Sequence, residues 1–215
     1  MERTKNLKLS KEEIFLYLIY TVGVIGHLTT SLIIYMKLLT PLTLLLTGGL
    51  VLLTTIQSSK GNFIIWAVVT YIITFSLEVI GVKTGVIFGS YWYGDTLGLK
   101  FLEVPLIIGF NWIMVILGVI LLSKKIFNNK ILLTISAALL ATLFDFFLEP
   151  TAIKLNYWNW SDVMVPLQNY IAWFFISLLF TILYFIMKIK IKSDLPIKFF
   201  LTQLLFFIIL YVFMS

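Results

Sequence analysis

The chain contains no cysteine and a single histidine, His27. Thiolate chemistry is thereby excluded, and zinc, haem and iron–sulfur centres lose the ligands they require. Charge is scarce as well: Asp, Glu, Lys and Arg make up 12% of 215 residues, against 60% hydrophobic ones. With a mean hydropathy of +1.04, such a chain cannot cover a water-soluble domain with polar surface. It reads as an all-α, polytopic membrane protein forming a single integral membrane domain over 1–215. What is plentiful is aromatic, with 19 Phe, 10 Tyr and 6 Trp. That is more than interfacial belts need, and it points to a pocket lined with rings.

About seven spans follow from hydropathy: Ile14 to Met36, Leu38 to Gln57, Asn62 to Val82, Val104 to Ser123, Lys130 to Glu149, Val165 to Met187 and Pro196 to Met214. The first is too long for a signal-peptide core. Residues 1–13 form a basic tail, and the tail and inner connections together hold Arg3, Lys5, Lys8, Lys11, Lys60, Lys124, Lys125, Lys130, Lys188, Lys190, Lys192 and Lys198. The outer connections hold only Lys37, Lys83, Lys100 and Lys154. The net charge of +6 therefore expresses the positive-inside rule rather than a nucleic-acid partner, and the orientation is N-in, C-out. The first two spans and the last carry no internal charged residue and read as scaffold, which leaves 62–187 as the catalytic core. His27 reads as a hydrogen-bonded bundle histidine.

The acids lie on the opposite side. Glu78 follows Asn62 by 16 residues and Asp145 follows Lys130 by 15, which places both roughly 22–24 Å from their inner ends, in the outer third of a ~30 Å core. Glu149, Glu103, Asp95 and Asp162 fall at or beyond the outer boundary. Asp145 and Glu149, four apart, share a helix face that Pro150 is expected to end. An acid at membrane depth costs roughly 2.5–3.5 kcal/mol on insertion scales, so each is a functional candidate by default.

A weak internal repeat runs through the same region. Glu78, the turn Tyr91-Trp-Tyr93, Val104-Pro105 and Trp112 are echoed by Glu149, the turn Tyr157-Trp-Asn-Trp160, Val165-Pro166 and Trp173. Both copies run in the same sense, as parallel repeats do, and such repeats often hold a site between them. Asn111 and Asn169 accompany the two tryptophans without aligning. The connection from Lys83 to Leu102 is the longest, and its aromatic content argues for order. Trp92 and Trp158 are also suited to plain interfacial anchoring.

A carboxyl group sealed in an apolar wall favours its proton-carrying form, and such an acid can protonate an alkene. Faces of Trp, Tyr and Phe would stabilise the resulting carbocation. Water would quench it to a tertiary alcohol, and a neighbouring double bond would quench it to a ring. A long polyene dissolved in the bilayer suits both.

Gly89-Ser-Tyr-Trp-Tyr-Gly, Leu97-Gly98, Val104-Pro105 with Asn111-Trp112, Asp145-x-x-x-Glu149-Pro150-x-Ala152, Tyr157-Trp-Asn-Trp160 and Val165-Pro166-x-x-Asn169-x-x-x-Trp173 together resemble the CruF-type carotenoid biosynthesis membrane proteins. The resemblance covers Glu78 to Trp173. It implies a hydratase that adds water across the C1,C2 double bond of an acyclic carotenoid end group, a hydro-lyase with no redox cofactor and no metal. It further implies a bacterial or archaeal cell membrane, a lipid-soluble carotenoid substrate amid membrane lipid, and other carotenoid biosynthesis enzymes as neighbours. Glu149 departs from the aspartate often found before that proline, and Lys100 and Glu103 interrupt a stretch usually more apolar.

By depth, Asp145 is the expected proton donor and Glu78 its partner or alternate. Glu149 and Glu103 are expected to orient or deprotonate the water with Asn111 and Asn169. Trp112, Trp173, Tyr91, Tyr93 and Trp160 are expected to line the cation pocket. A lycopene-type cyclase shares the first step and differs only in the nucleophile. A membrane prenyltransferase would need a second acidic motif and basic residues for phosphates, and the outer side has four bases. A proton-coupled transporter would need spans broken in mid-membrane, for which Gly48-Gly49 is the sole candidate.

Overall fold

The computed structural model describes residues 9–162 and 164–214. Residues 1–8, with Arg3, Lys5 and Lys8 of the expected tail, lie outside them, as do Val163 and Ser215. Among the described residues the helices are α1 (Lys11–Leu28), α2 (Ile33–Ser58), α3 (Phe63–Thr84), α4 (Ile107–Ile126), α5 (Lys130–Lys154), α6 (Leu167–Ile186) and α7 (Leu195–Met214). Six of them, α2 to α7, are long and apolar enough to cross a membrane.

The connections sort into two ends as an up-and-down bundle requires. At one end Ser59–Lys60 pairs with Lys190–Ile191, and Lys125 meets Asp194 at 3.0 Å while Lys198 meets Glu13 at 2.5 Å. At the other, Tyr91–Tyr93 pairs antiparallel with Trp158–Trp160, and Lys154 donates to the Met214 carbonyl. The central helix is α4, buried almost all round from Ile107 to Ser123, as an apolar helix without a polar face must be. The outer helices turn leucine outward: Leu38, Leu42, Leu45, Leu46 and Leu53 of α2 are exposed. Their polar residues turn inward, His27, Glu78, Asp145, Glu149, Asn169 and Gln203 all being buried. This inversion is what a lipid solvent demands, because unpaired polar groups cannot face hydrocarbon.

Helix boundaries differ from the sequence-based expectation in three places that bear on the site. The first span breaks at Leu28 rather than running to Met36, because Thr29-Thr30-Ser31 offers the backbone competing hydrogen bonds, and the Thr29 hydroxyl donates to the Ile25 carbonyl at 2.7 Å. The fourth helix starts at Ile107, since Val104–Pro105 is taken up by a hairpin with Lys100–Phe101. Pro150 does not end α5. Its ring forfeits one bond, and the next turn closes regardless with Leu155 N–H donating to the Thr151 carbonyl at 2.9 Å. The stop comes at Asn156, whose φ of +57° sets a Schellman cap in which Tyr157 N–H donates to the Ala152 carbonyl at 2.8 Å and Asn156 N–H to that of Ile153 at 3.0 Å. Five residues of extra helix thus carry the chain on to Trp158–Trp160.

The strand pair is pinned beside Gly94, whose N–H donates to the Tyr157 carbonyl at 3.0 Å. A Cβ here would stand 2.1 Å from the Asn156 carbonyl oxygen, so no other residue permits the approach. Gly94→Ala is expected to cost about 1–3 kcal/mol through the enforced backbone shift, read as a lower apparent melting temperature of the purified protein. Gly49→Ala, with open space around its Cβ, is the control expected to show no such loss.

Candidate active site

Three carboxyl groups line one cavity of about 240 Å³, namely Glu78 from α3 and Asp145 and Glu149 from α5. Their relative exposures are 6%, 0% and 2%, so each has exchanged water for protein partners. For two of them the exchange is complete. Glu78 Oε2 accepts from the Tyr91 and Tyr93 hydroxyls at 2.5 and 2.7 Å, and its Oε1 accepts from the Trp112 indole at 2.8 Å. Glu149 Oε2 accepts from the Trp158 and Trp160 indoles at 2.9 and 2.8 Å, and its Oε1 accepts from Asn169 Nδ2 at 3.2 Å. The third is different. Asp145 Oδ2 accepts from the same Asn169 nitrogen at 2.6 Å, while its Oδ1 is buried with no partner among the described residues.

Local sequence explains the arrangement. Residues two apart in a strand share a face, so Tyr91 and Tyr93 reach one carboxylate together, as do Trp158 and Trp160. The register pairs Tyr91 with Trp160, Trp92 with Asn159 and Tyr93 with Trp158. The local two-fold of that ribbon, centred on Trp92 and Asn159, exchanges the tyrosine pair for the tryptophan pair, and with it Glu78 for Glu149. Trp112 and Trp173, which correspond in the repeat, stack at 3.9 Å with 23° between their planes. The two copies therefore meet face to face, each presenting a three-donor cradle to its glutamate. Burial pushes the Tyr91 and Tyr93 hydroxyls well up from their ordinary range, and the nearby Glu78 charge adds to this. They thus stay protonated and remain donors.

The cavity wall includes Tyr91, Tyr93, Asn111, Trp112, Trp160, Asn169 and Trp173 alongside the three acids. Glu103 is not brought there. It lies exposed in the Leu102–Glu103 turn of the Lys100–Val104 hairpin, where both residues have positive φ, +50° and +69°; this two-residue turn is the mirror-image kind that fits strand twist, and it aims the acid at solvent. Of the two anchor candidates, Trp92 is 52% exposed while Trp158 is buried against Glu149.

The sequence reasoning missed the opposite wall, built by helices taken as scaffold: Tyr20 and His27 of α1, Thr40 of α2, and Gln203, Phe206 and Phe207 of α7. The wall thus extends beyond 62–187. The signal was present in two places. Tyr20 and His27 stand seven apart on one face of an apolar helix, and Gln203 is the lone amide of α7; its Nε2 donates to the Tyr20 hydroxyl at 2.8 Å.

Removing one indole donor tests the cradle. Trp160→Phe keeps a six-membered aromatic ring and leaves Glu149 with two donors. The lost bond to a buried carboxyl group is expected to cost about 0.5–3 kcal/mol, seen as a reduced melting temperature, and Trp92→Phe on the exposed face is expected to change nothing.

Comparison with known proteins bears on this site. A family model described as carotenoid biosynthesis protein matches residues 39–215. Over 109 residues the chain is 30% identical to a bisanhydrobacterioruberin hydratase from Haloarcula japonica, an alignment taking in 46% of this chain and 37% of the relative. The match thus spans well under half of that relative's length. No solved structure matches the chain.

Proposed function

The chain belongs to the carotenoid biosynthesis protein family, and from that membership we propose that it hydrates an acyclic carotenoid end group by acid protonation and capture of the carbocation by water. The observation that carries this reading is the inequality among the three buried acids. Glu78 and Glu149 each receive three hydrogen bonds, whereas Asp145 receives one and keeps Oδ1 unpaired. Among the described residues no lysine or arginine lines the cavity. Three like charges without a counter-ion do not coexist at such burial, and the acid with the fewest donors is the one that keeps its proton.

The steps then balance. Asp145 Oδ1 gives its proton to C2 of the terminal double bond, and the positive charge develops at tertiary C1. The fixed charge of Glu78 and the stacked faces of Trp112 and Trp173 lower the energy of that cation. Water, oriented by Asn111 and by Glu149 through the shared Asn169 amide, forms the C–O bond. Its surplus proton passes to Asp145, now a carboxylate, and the acid is restored. A cavity of about 240 Å³ is small beside the usual range of ligand pockets. It takes the end of a polyene and leaves the remainder outside.

Expression in cells that accumulate acyclic carotenoids tests the reading. The expected result is a pigment heavier by one water, with the hydroxyl on the tertiary end carbon. A pigment of unchanged mass and altered retention would replace hydration by cyclisation, which shares the first step.

A further inference from the structure

His27 has no part in the chemistry above, yet it is built as a binding group. Its Nδ1 lies 2.7 Å from the Gly23 carbonyl oxygen. A carbonyl only accepts, so Nδ1 carries the proton and Nε2 presents a bare lone pair. That Nε2 is buried without a partner among the described residues, the residue as a whole is 7% exposed, and it lines the same cavity as the acids. Buried polar atoms left unpaired are rare enough to require a reason.

The position of the ring narrows the reason. His27 packs edge-on to Phe206 at 5.5 Å, Phe206 to Phe207 at 5.2 Å, and Phe207 to Phe144, the neighbour of Asp145, at 5.7 Å. A wall of rings thus runs from the histidine to the acid. The same cavity is lined by Tyr20, whose hydroxyl accepts from Gln203 Nε2 at 2.8 Å, and by Thr40, whose hydroxyl donates to the Met36 carbonyl at 2.8 Å. Both of those hydroxyls have partners, whereas His27 Nε2 has none among the described residues. His27 also precedes residue 39, where the family match begins, so it lies outside the segment that carries the family's features.

Resting on the hydration reading, we propose that His27 is the acceptor of a second polar subsite, which binds an O–H group on the part of the cavity wall that α1 supplies. The donor is either a hydroxyl already present on the polyene or a resident water. A hydroxyl on the substrate would make His27 a specificity residue, and a water would make it part of the nucleophile's supply.

Because the chain holds one histidine, protein labelled with nitrogen-15 at histidine alone gives a single imidazole spectrum. In lipid nanodiscs, the probes are an acyclic polyene bearing a tertiary hydroxyl at one end and its hydroxyl-free analogue. Movement of the Nε2 signal towards the hydrogen-bonded position with the first probe alone identifies the substrate hydroxyl. A signal already at that position before any polyene is added identifies water. A signal of a bare acceptor throughout, or a proton found on Nε2, overturns the proposal. Kinetics give the matching readout. For a substrate hydroxyl, His27→Leu raises KM for the hydroxylated probe about tenfold, the value of one neutral hydrogen bond, at unchanged kcat. For water, kcat falls with both probes. The spectrum is read without turnover, so failure of the hydration reading, seen as no alcohol from wild-type protein, is distinct from failure of this one.

Discussion

Asp145→Asn is expected to lower product formation by about 100- to 10,000-fold, the range that a positioned general acid supplies. The substitution preserves shape, and the new side-chain oxygen can still accept from Asn169, which now donates to Asp145 Oδ2 at 2.6 Å. What disappears is the acidic proton at the unpaired position, because an amide cannot protonate an alkene. Folding should survive, since Oδ1 has no partner to lose, and polyene binding, followed by the shift in pigment absorption, should persist. Asp145→Glu retains an acid and is expected to keep more activity than the amide. If the asparagine variant were as active as wild type, Asp145 would not be the donor.

Glu78→Gln is the second large effect, expected at about 100- to 1,000-fold, as for loss of one preorganised electrostatic contact to a developing charge. Here the contact is a carboxylate that Tyr91, Tyr93 and Trp112 hold fixed with three donors. It costs no reorganisation when the cation forms. Glutamine keeps one acceptor oxygen, and the tyrosine hydroxyls can turn to accept from the new amide, so the cradle is not destroyed. The expected signature is a fall in kcat with little change in KM, because the charge is used only once the cation exists. An equal rise in KM at constant kcat would make Glu78 a ground-state binding group instead.

Much of this site was legible in the sequence because the chain is so apolar. Each of Glu78, Asp145 and Glu149 stood out against hydrocarbon; about 1.5 Å per residue set Glu78 and Asp145 at one depth, and the four-residue spacing put Glu149 on the face of Asp145. Inspection of the repeat found Trp112 and Trp173, which stack, though not that the two aromatic turns would form one ribbon. That pairing is a long-range register, and spacing along the chain does not encode it. Glu103 was set at or beyond the outer boundary, and it is exposed there; its expected share in orienting the water did not follow, because spacing alone does not reveal a hairpin turn built on positive φ without glycine. Pro150 read as a stop, whereas a single missing bond is cheap when the following turn closes and an asparagine further on supplies the cap. Tyr20 and Gln203 were passed over, and His27 was read as a bundle histidine and nothing more, because isolated polar residues on apolar helices do not show which wall they share. Only the packing of α1 against α7 brings them to one wall.

Hydration begun by acid predicts where each atom of the added water goes, which makes isotope labelling the most direct measurement. The purified protein, in lipid with an acyclic carotenoid, would be run in deuterium oxide enriched in heavy oxygen. The account predicts a tertiary alcohol carrying one heavy oxygen at C1 and one deuterium at C2. A product of unchanged oxygen content, or an alcohol whose C2 carries no solvent deuterium, would contradict it.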